Sequence, residues 1–274
     1  MTTILIGCMM TVNAHNGHDH PAPVEVPPTH ITPATQWQGK RVAFLGDSMT
    51  DPRAKNSSCL YWKYLQQLLG IEPKVYARSG HRWTDILNRA KDMHTELADS
   101  IDVILIWAGT NDYNSSLPIG TFFSEQQDTT NHNGQIVTRR HRSLIMNDST
   151  FCGSINLTLD YLKSNYPTKQ IILLTPIHRG YAKFSDRNVQ PDENYANGQG
   201  LYIDDYIDTL HKAASVWALP VIDLWSTSGL YPMNTSNEQY FHHPETDMLH
   251  PNSPGNYRLA RTLQMQLLSL PPDF

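Results

Sequence analysis

The chain has 274 residues, 39% of them hydrophobic and 17% charged, with a formal net charge of -5. That length suits one large domain with a sizeable core, and the composition is that of an ordinary globular protein. Lys and Arg are scattered, with never more than two adjacent, which leaves no basic footprint for nucleic acid, and mild acidity gives no strong pull on anionic partners.

Residues 4–12 form a short apolar run, and Val12-Asn13-Ala14 has the small-residue character of a cleavage site. The run is too short to span a bilayer, which takes about 20 residues, and no Lys or Arg precedes it. Residues 1–14 therefore read as an export signal, with the mature chain periplasmic, surface-bound or secreted. Leu5-Ile6-Gly7-Cys8 also looks like a bacterial lipoprotein box, which would make Cys8 a lipid anchor. Residues 15–39 are rich in His, Pro and Thr without an apolar period and read as a linker or surface arm. His15, His18 and His20 could meet a metal, but nothing beside them imposes a geometry, so a solvated tail is the expectation.

From residue 40 to 274 the pattern is that of one domain. Segments 41–46, 74–77, 102–108, 170–175 and 220–224 are runs rich in Val, Ile and Leu that predict buried strands. Between and after them, segments 59–69, 84–97, 154–164, 201–218 and 254–268 predict helices. Strand-helix alternation implies a three-layer α/β/α sandwich around a central parallel sheet of about five strands. Three stretches, 114–150, 179–199 and 226–246, are polar and read as irregular. Loops that long in a compact domain are usually functional or disordered, and all three would follow strand ends, where open α/β sheets bind ligands. Cys59 and Cys152 read as two buried free thiols rather than as a disulfide.

The first strand runs into Gly46-Asp47-Ser48, which places a hydroxyl at the sheet's C-terminal edge. Serine in such a turn more often serves local hydrogen bonding or a helix cap, and as a nucleophile it needs a base and a group that orients the base. Asp247 and His250 stand three apart before the last helix. They can share one side of a turn, the carboxylate holding one imidazole nitrogen while the other faces a serine. On spacing alone, a capping Asp and a surface His are the commoner reading. Gly80 and Asn111 follow the second and third strands and could donate to an oxyanion, or simply form turns. The coincidence carries more than any single residue. Ser48, Gly80 and Asn111 each follow a strand of one parallel sheet, so they should meet at one edge. His178 near that edge could touch substrate, but a structural role is the commoner reading for it and for Trp83 and Trp107.

The blocks Gly46-Asp47-Ser48, Gly80, Gly109-Thr110-Asn111-Asp112 and Asp247-x-x-His250-Pro251 stand in the order of the SGNH (GDSL-like) hydrolases. The chain resembles that family over about residues 41–268, with Met49 in place of the usual Leu or Ile and a long insertion at 114–150. The resemblance implies a flavodoxin-like fold and ester hydrolysis through an acyl-enzyme. It implies Ser48 as nucleophile, His250 as base and Asp247 as its orienter. The oxyanion hole would comprise the N–H groups of Ser48 and Gly80 and the Asn111 amide. No cofactor or metal is required. The chain has no Gly-x-Ser-x-Gly elbow, P-loop or His-Glu-x-x-His. The expected substrate is a small-molecule or polysaccharide ester, foremost an acetylated carbohydrate. A lipid-directed esterase and an inactive glycan-binding module are the alternatives.

Overall fold

A computed structural model describes residues 20–272. The candidate signal segment with Cys8, and also His15 and His18, lie outside the described residues. In chain order the elements are β1 (Arg41–Gly46), α1 (Tyr61–Leu69), β2 (Glu72–Ala77), α2 (Trp83–Leu97), β3 (Val103–Trp107), α3 (Thr110–Asn114), β4 (Phe123–His132), β5 (Gln135–Leu144), α4 (Phe151–Asn165), β6 (Gln170–Leu174), β7 (Ala182–Ser185), β8 (Asn188–Gln190), α5 (Ile203–Trp217), β9 (Val221–Ile222), α6 (Leu224–Thr227), β10 (Phe241–His243), β11 (Asp247–Pro251) and α7 (Ser253–Leu268).

The main sheet has the order β2-β1-β3-β6-β9 with every pair parallel. Counting only its own strands this is 2-1-3-4-5, the flavodoxin-like order. Its three central strands, β1, β3 and β6, are buried on both faces, and successive residues serve opposite cores. Val42, Phe44, Val103, Leu105 and Trp107 pack under α1 and α7. Ala43, Leu45, Ile104, Ile106, Ile171 and Leu173 pack under α2, α4 and α5. A strand buried twice has no polar face, which is why these segments read as continuous apolar runs. The expected strand at 220–224 is shorter than its apolar run, because the side chain of Asp223 accepts the Ser226 N–H and opens α6. Asn252 caps α7 in the same way, accepting the Gly255 N–H, with Pro254 in the first turn.

The register levels the sheet's edge. Gly46 lies opposite Ala77 and Trp107, and Trp107 opposite Leu174. Whatever follows these four residues emerges side by side.

Three expectations are corrected. The polar stretch 114–150 is ordered: β4 and β5 form an antiparallel ribbon of ten residues per strand. Its turn is Asn133-Gly134, both with positive φ (55° and 81°), the geometry that Asn-Gly supplies in a two-residue hairpin. Asn156 of α4 ties the ribbon's base by donating to the carbonyls of Phe122 and Ile145. Nearly all of the ribbon is exposed on both faces, so it shows no apolar alternation, and the Asn-Gly turn was its one readable signal. The stretches 179–199 and 226–246 likewise contribute strands. With β11 they make a small sheet of order β10-β11-β7-β8.

The arm is fastened to the domain through its described part, residues 20–39. Trp37 is fully buried and donates from Nε1 to the Leu267 carbonyl. His30 Nδ1 lies 2.6 Å from the Tyr257 hydroxyl, and Gln264 donates to the His30 carbonyl. Cys59 and Cys152 are both buried and sit in the two different cores, so they do not pair with each other. Among the described residues, no helix is long and apolar enough to cross a membrane.

Trp37→Ala removes a fully buried side chain from the α1/α7 core. The expected cost is about 3–5 kcal/mol of stability, measured by urea unfolding. A loss below about 1 kcal/mol would show that the arm contributes little to folding.

Candidate active site

The turn after β1 is wound around Asp47. Its backbone carbonyl accepts the N–H groups of Thr50 (3.1 Å) and Asp51 (2.9 Å), and its carboxylate accepts the Met49 N–H at 3.0 Å. This leaves Ser48 at the tip, partly exposed between buried neighbours. Gly46 is required for the winding, because a Cβ there would stand 2.8 Å from both Thr50 Oγ1 and the Trp107 carbonyl oxygen.

Asp247 and His250 reach Ser48 from the far end of the chain. His250 Nε2 lies 2.8 Å from Ser48 Oγ, and His250 Nδ1 lies 3.0 and 2.9 Å from the two Asp247 carboxylate oxygens. The residues were expected on a turn but stand on the short strand β11. Residues three apart on a regular strand face opposite ways. Here Asp247 Oδ1 also accepts the backbone N–H groups of Leu249 and His250, which curls the strand and brings the imidazole back over the carboxylate.

The second and third blocks close in on the same point. Arg78-Ser79-Gly80-His81 is a β-turn, with the His81 N–H on the Arg78 carbonyl. Gly80 occupies its third position at φ +84°, which favours glycine. Asp51 latches this turn to the Ser48 turn by accepting the Ser79 N–H (2.8 Å) and hydroxyl (3.1 Å). The Asn111 amide donates to the His81 carbonyl at 3.0 Å and, more weakly, to Asp47 at 3.3 Å. Among the described residues, the backbone N–H groups of Ser48 and Gly80 donate to no acceptor. The structure thus brings together all five candidate residues, Ser48, Gly80, Asn111, Asp247 and His250.

The GDSL-like lipase/acylhydrolase family pattern matches residues 44–258. The chain belongs to that family. It is accordingly an ester-hydrolysing enzyme. Solved structures share the fold. A Lactobacillus plantarum protein superposes with a TM-score of 0.64 at 24% identity, covering 85% of this chain and 98% of that one. A possible lipase from Chitinophaga pinensis gives 0.61 at 19%, covering 83% and 97%. An acetyl xylan esterase gives 0.52 at 18%, covering 83% and 99%. At these identities the likeness is one of fold. No curated protein matches the chain.

The carboxylates of this GDSL-family site differ sharply in proton affinity. Burial pushes Asp112 up to about 8, and its hydrogen bond from the Trp83 N–H only partly offsets this. Burial likewise pushes Asp47 up to about 6 against the bond from Met49 and the charges of His250 and Arg179. For Asp247 burial acts upward too, but hydrogen bonds from His242 and His250 overcome it and hold the carboxyl well below its usual range.

Several residues of the site escaped the sequence. Asp51 stands three after Ser48 in plain view, but only its contact with Ser79 gives it meaning. His242 donates to Asp247 from β10. Phe184 sets its ring 5.5 Å from that of His250. Arg179 is fully buried, donating to Thr110 Oγ1 (3.3 Å) and Gln190 Oε1 (2.8 Å) while its N–H meets Glu193. Burial draws its guanidinium down to about 10. No local pattern announces it. His178 is bonded to Glu193 at 2.7 Å and packed on Trp225.

Asp112 supplies a pH test. A carboxyl whose folded pKa is raised stabilises fully below its unfolded value near 3.9 and loses that contribution as pH rises through about 8. Asp112→Asn cannot ionise. Its loss of stability between about pH 5 and about pH 8.5 should be smaller than that of wild type by at least about 1 kcal/mol, read from urea midpoints. Equal losses would show that Asp112 does not titrate in this window.

Proposed function

We propose that this GDSL-family enzyme is a serine esterase that removes short acyl groups, foremost acetyl, from carbohydrate. The chain of contacts from Asp247 through His250 to Ser48 Oγ carries the reading. Ser48 Oγ attacks the ester carbonyl carbon as its proton passes to His250 Nε2. The N–H groups of Ser48 and Gly80 hold the developing oxyanion, and the Asn111 amide joins them by giving up its weak 3.3 Å bond to Asp47. Collapse of the tetrahedral adduct expels the alcohol, which takes the proton from His250. Water then attacks the acyl-enzyme with His250 again as base, releasing the acid and restoring Ser48. Asp247, ionised throughout, holds the tautomer that leaves Nε2 facing Ser48.

The acyl preference rests on the recess next to Ser48. This recess opens beside Asp47 and Met49, the chain neighbours of Ser48, and Asp47, Met49, Trp107, Thr110, Pro176 and Ile177 close it so far that no water-sized sphere fits. A methyl group is the most that small adjustments there would admit. The carbohydrate preference rests on exposed rings near the site. Phe184 packs at His250, and Tyr181 precedes the same strand, β7, with both partly open to solvent. Aromatic faces of this kind suit sugar rings. The fold likeness to an acetyl xylan esterase agrees with this choice.

Ser48→Ala should lower kcat on p-nitrophenyl acetate by about 10⁴-fold or more with folding unchanged by circular dichroism. Wild type should favour acetate over octanoate esters by at least about tenfold in kcat/KM. Trp107→Ala should narrow that ratio by opening the recess. Turnover that survives in Ser48→Ala defeats the serine mechanism, and a preference for octanoate defeats the short-acyl assignment. Acetate release from acetylated xylan, compared with release from glycerol triacetate, tests the carbohydrate acceptor.

A further inference from the structure

Asp247 serves two imidazoles. Its Oδ2 lies 2.9 Å from Nδ1 of His250 and 2.9 Å from Nδ1 of His242 on the neighbouring strand β10. The esterase steps above use only the first. A carboxylate can only accept, so His242 must carry a proton on Nδ1 to make its bond. His242 is not a loose surface group. Its side chain is 25% exposed, and the ring of His20 from the N-terminal arm stacks on it with centroids 4.8 Å apart and planes 17° from parallel.

We infer that His242 is a positioning residue that tunes the base His250 through their shared carboxylate and carries the enzyme's activity to lower pH. The inference rests on the serine-esterase reading. Two effects act in the same direction. An N–H on Oδ2 withdraws part of the negative charge that would otherwise hold a proton on His250. When His242 is itself protonated, two cationic rings face one carboxylate, and the doubly protonated pair is disfavoured. Each effect keeps His250 available as a free base under more acidic conditions.

The ionisable groups around His242, among the described residues, are Asp247 and His250 on β11 and His20 on the arm. Its own strand and the following turn add His243 and Glu245, whose N–H meets His243 Nδ1. Asp47 acts on His250 from the far side of Ser48. His243, Glu245 and Asp47 stay in place when His242 alone is replaced, so their own effects on His250 cancel in a comparison.

Two substitutions separate the two effects. His242→Gln retains a neutral N–H donor but cannot charge, whereas His242→Ala removes donor and charge together. The measurement is kcat/KM for p-nitrophenyl acetate from about pH 4.5 to about pH 9, with Ser48→Ala run alongside. The acid limb should move to higher pH in both variants, further in His242→Ala, by about half to one pH unit. The plateau should fall by no more than about tenfold. A lower plateau with an unmoved acid limb in both variants would mean a merely structural role and overturn the inference. An unmoved limb with a full plateau overturns it equally. If His242→Ala does not fold, the limb of the near-isosteric His242→Gln decides alone. Turnover that persists in Ser48→Ala would overturn the esterase reading and this inference with it. Unmoved limbs with Ser48-dependent turnover overturn this inference only.

Discussion

A parallel sheet ends its strands at a common edge, and in this protein the register makes that edge level to the residue. Gly46, Ala77, Trp107 and Leu174 form one row. The turns that follow the first three of them carry Ser48, Gly80 and Asn111. Their mutual placement therefore derives from the backbone hydrogen bonds that set the register of the sheet. Loop to loop, the site is tied by side chains: Asp51 joins the first turn to the second, and Asn111 joins the third to both. The small sheet β10-β11-β7-β8 brings the remaining two residues to the same edge, with Gly180 and Met248 bonded across it.

Three buried aspartates at this edge show how hydrogen bonds decide the sign of an electrostatic effect. All lose hydration, which favours the protonated form. Asp112 has the Trp83 N–H as its donor and Asp47 has Met49 and a long bond from Asn111, and both are raised. Asp247 accepts from two imidazoles and two backbone N–H groups, and it alone of the three is lowered. A carboxylate that stays ionised beside His250 is what a serine–histidine pair requires of its orienting group. The same crowd of donors admits His242 to the charge that would otherwise belong to His250.

The main sheet and its helices were legible because the central strands are buried on both faces and each long helix has one apolar side. Apolar runs and their spacing are direct consequences of that burial. The β4–β5 ribbon was illegible for the opposite reason. It is polar on both faces, so neither period appears, and only Asn133-Gly134 betrays the turn. Trp37 was equally hidden. A single tryptophan in a polar arm carries no period, and its burial depends on a carbonyl of Leu267, 230 residues away.

By itself the sequence determined the three-layer α/β/α architecture, the family membership through its four blocks, and the identity of Ser48, Gly80, Asn111, Asp247 and His250 as candidates. These follow from local pattern, and local pattern survives without coordinates. The tertiary structure decided the rest. It decided that Asp247 and His250 stand on a curled strand rather than a turn, that Asp51 and Arg179 join the candidate residues, that His242 shares the Asp247 carboxylate, and that the recess at Asp47 and Met49 is nearly closed. Each of these is a meeting of side chains remote in sequence or a question of volume, and chain order encodes neither distance nor space.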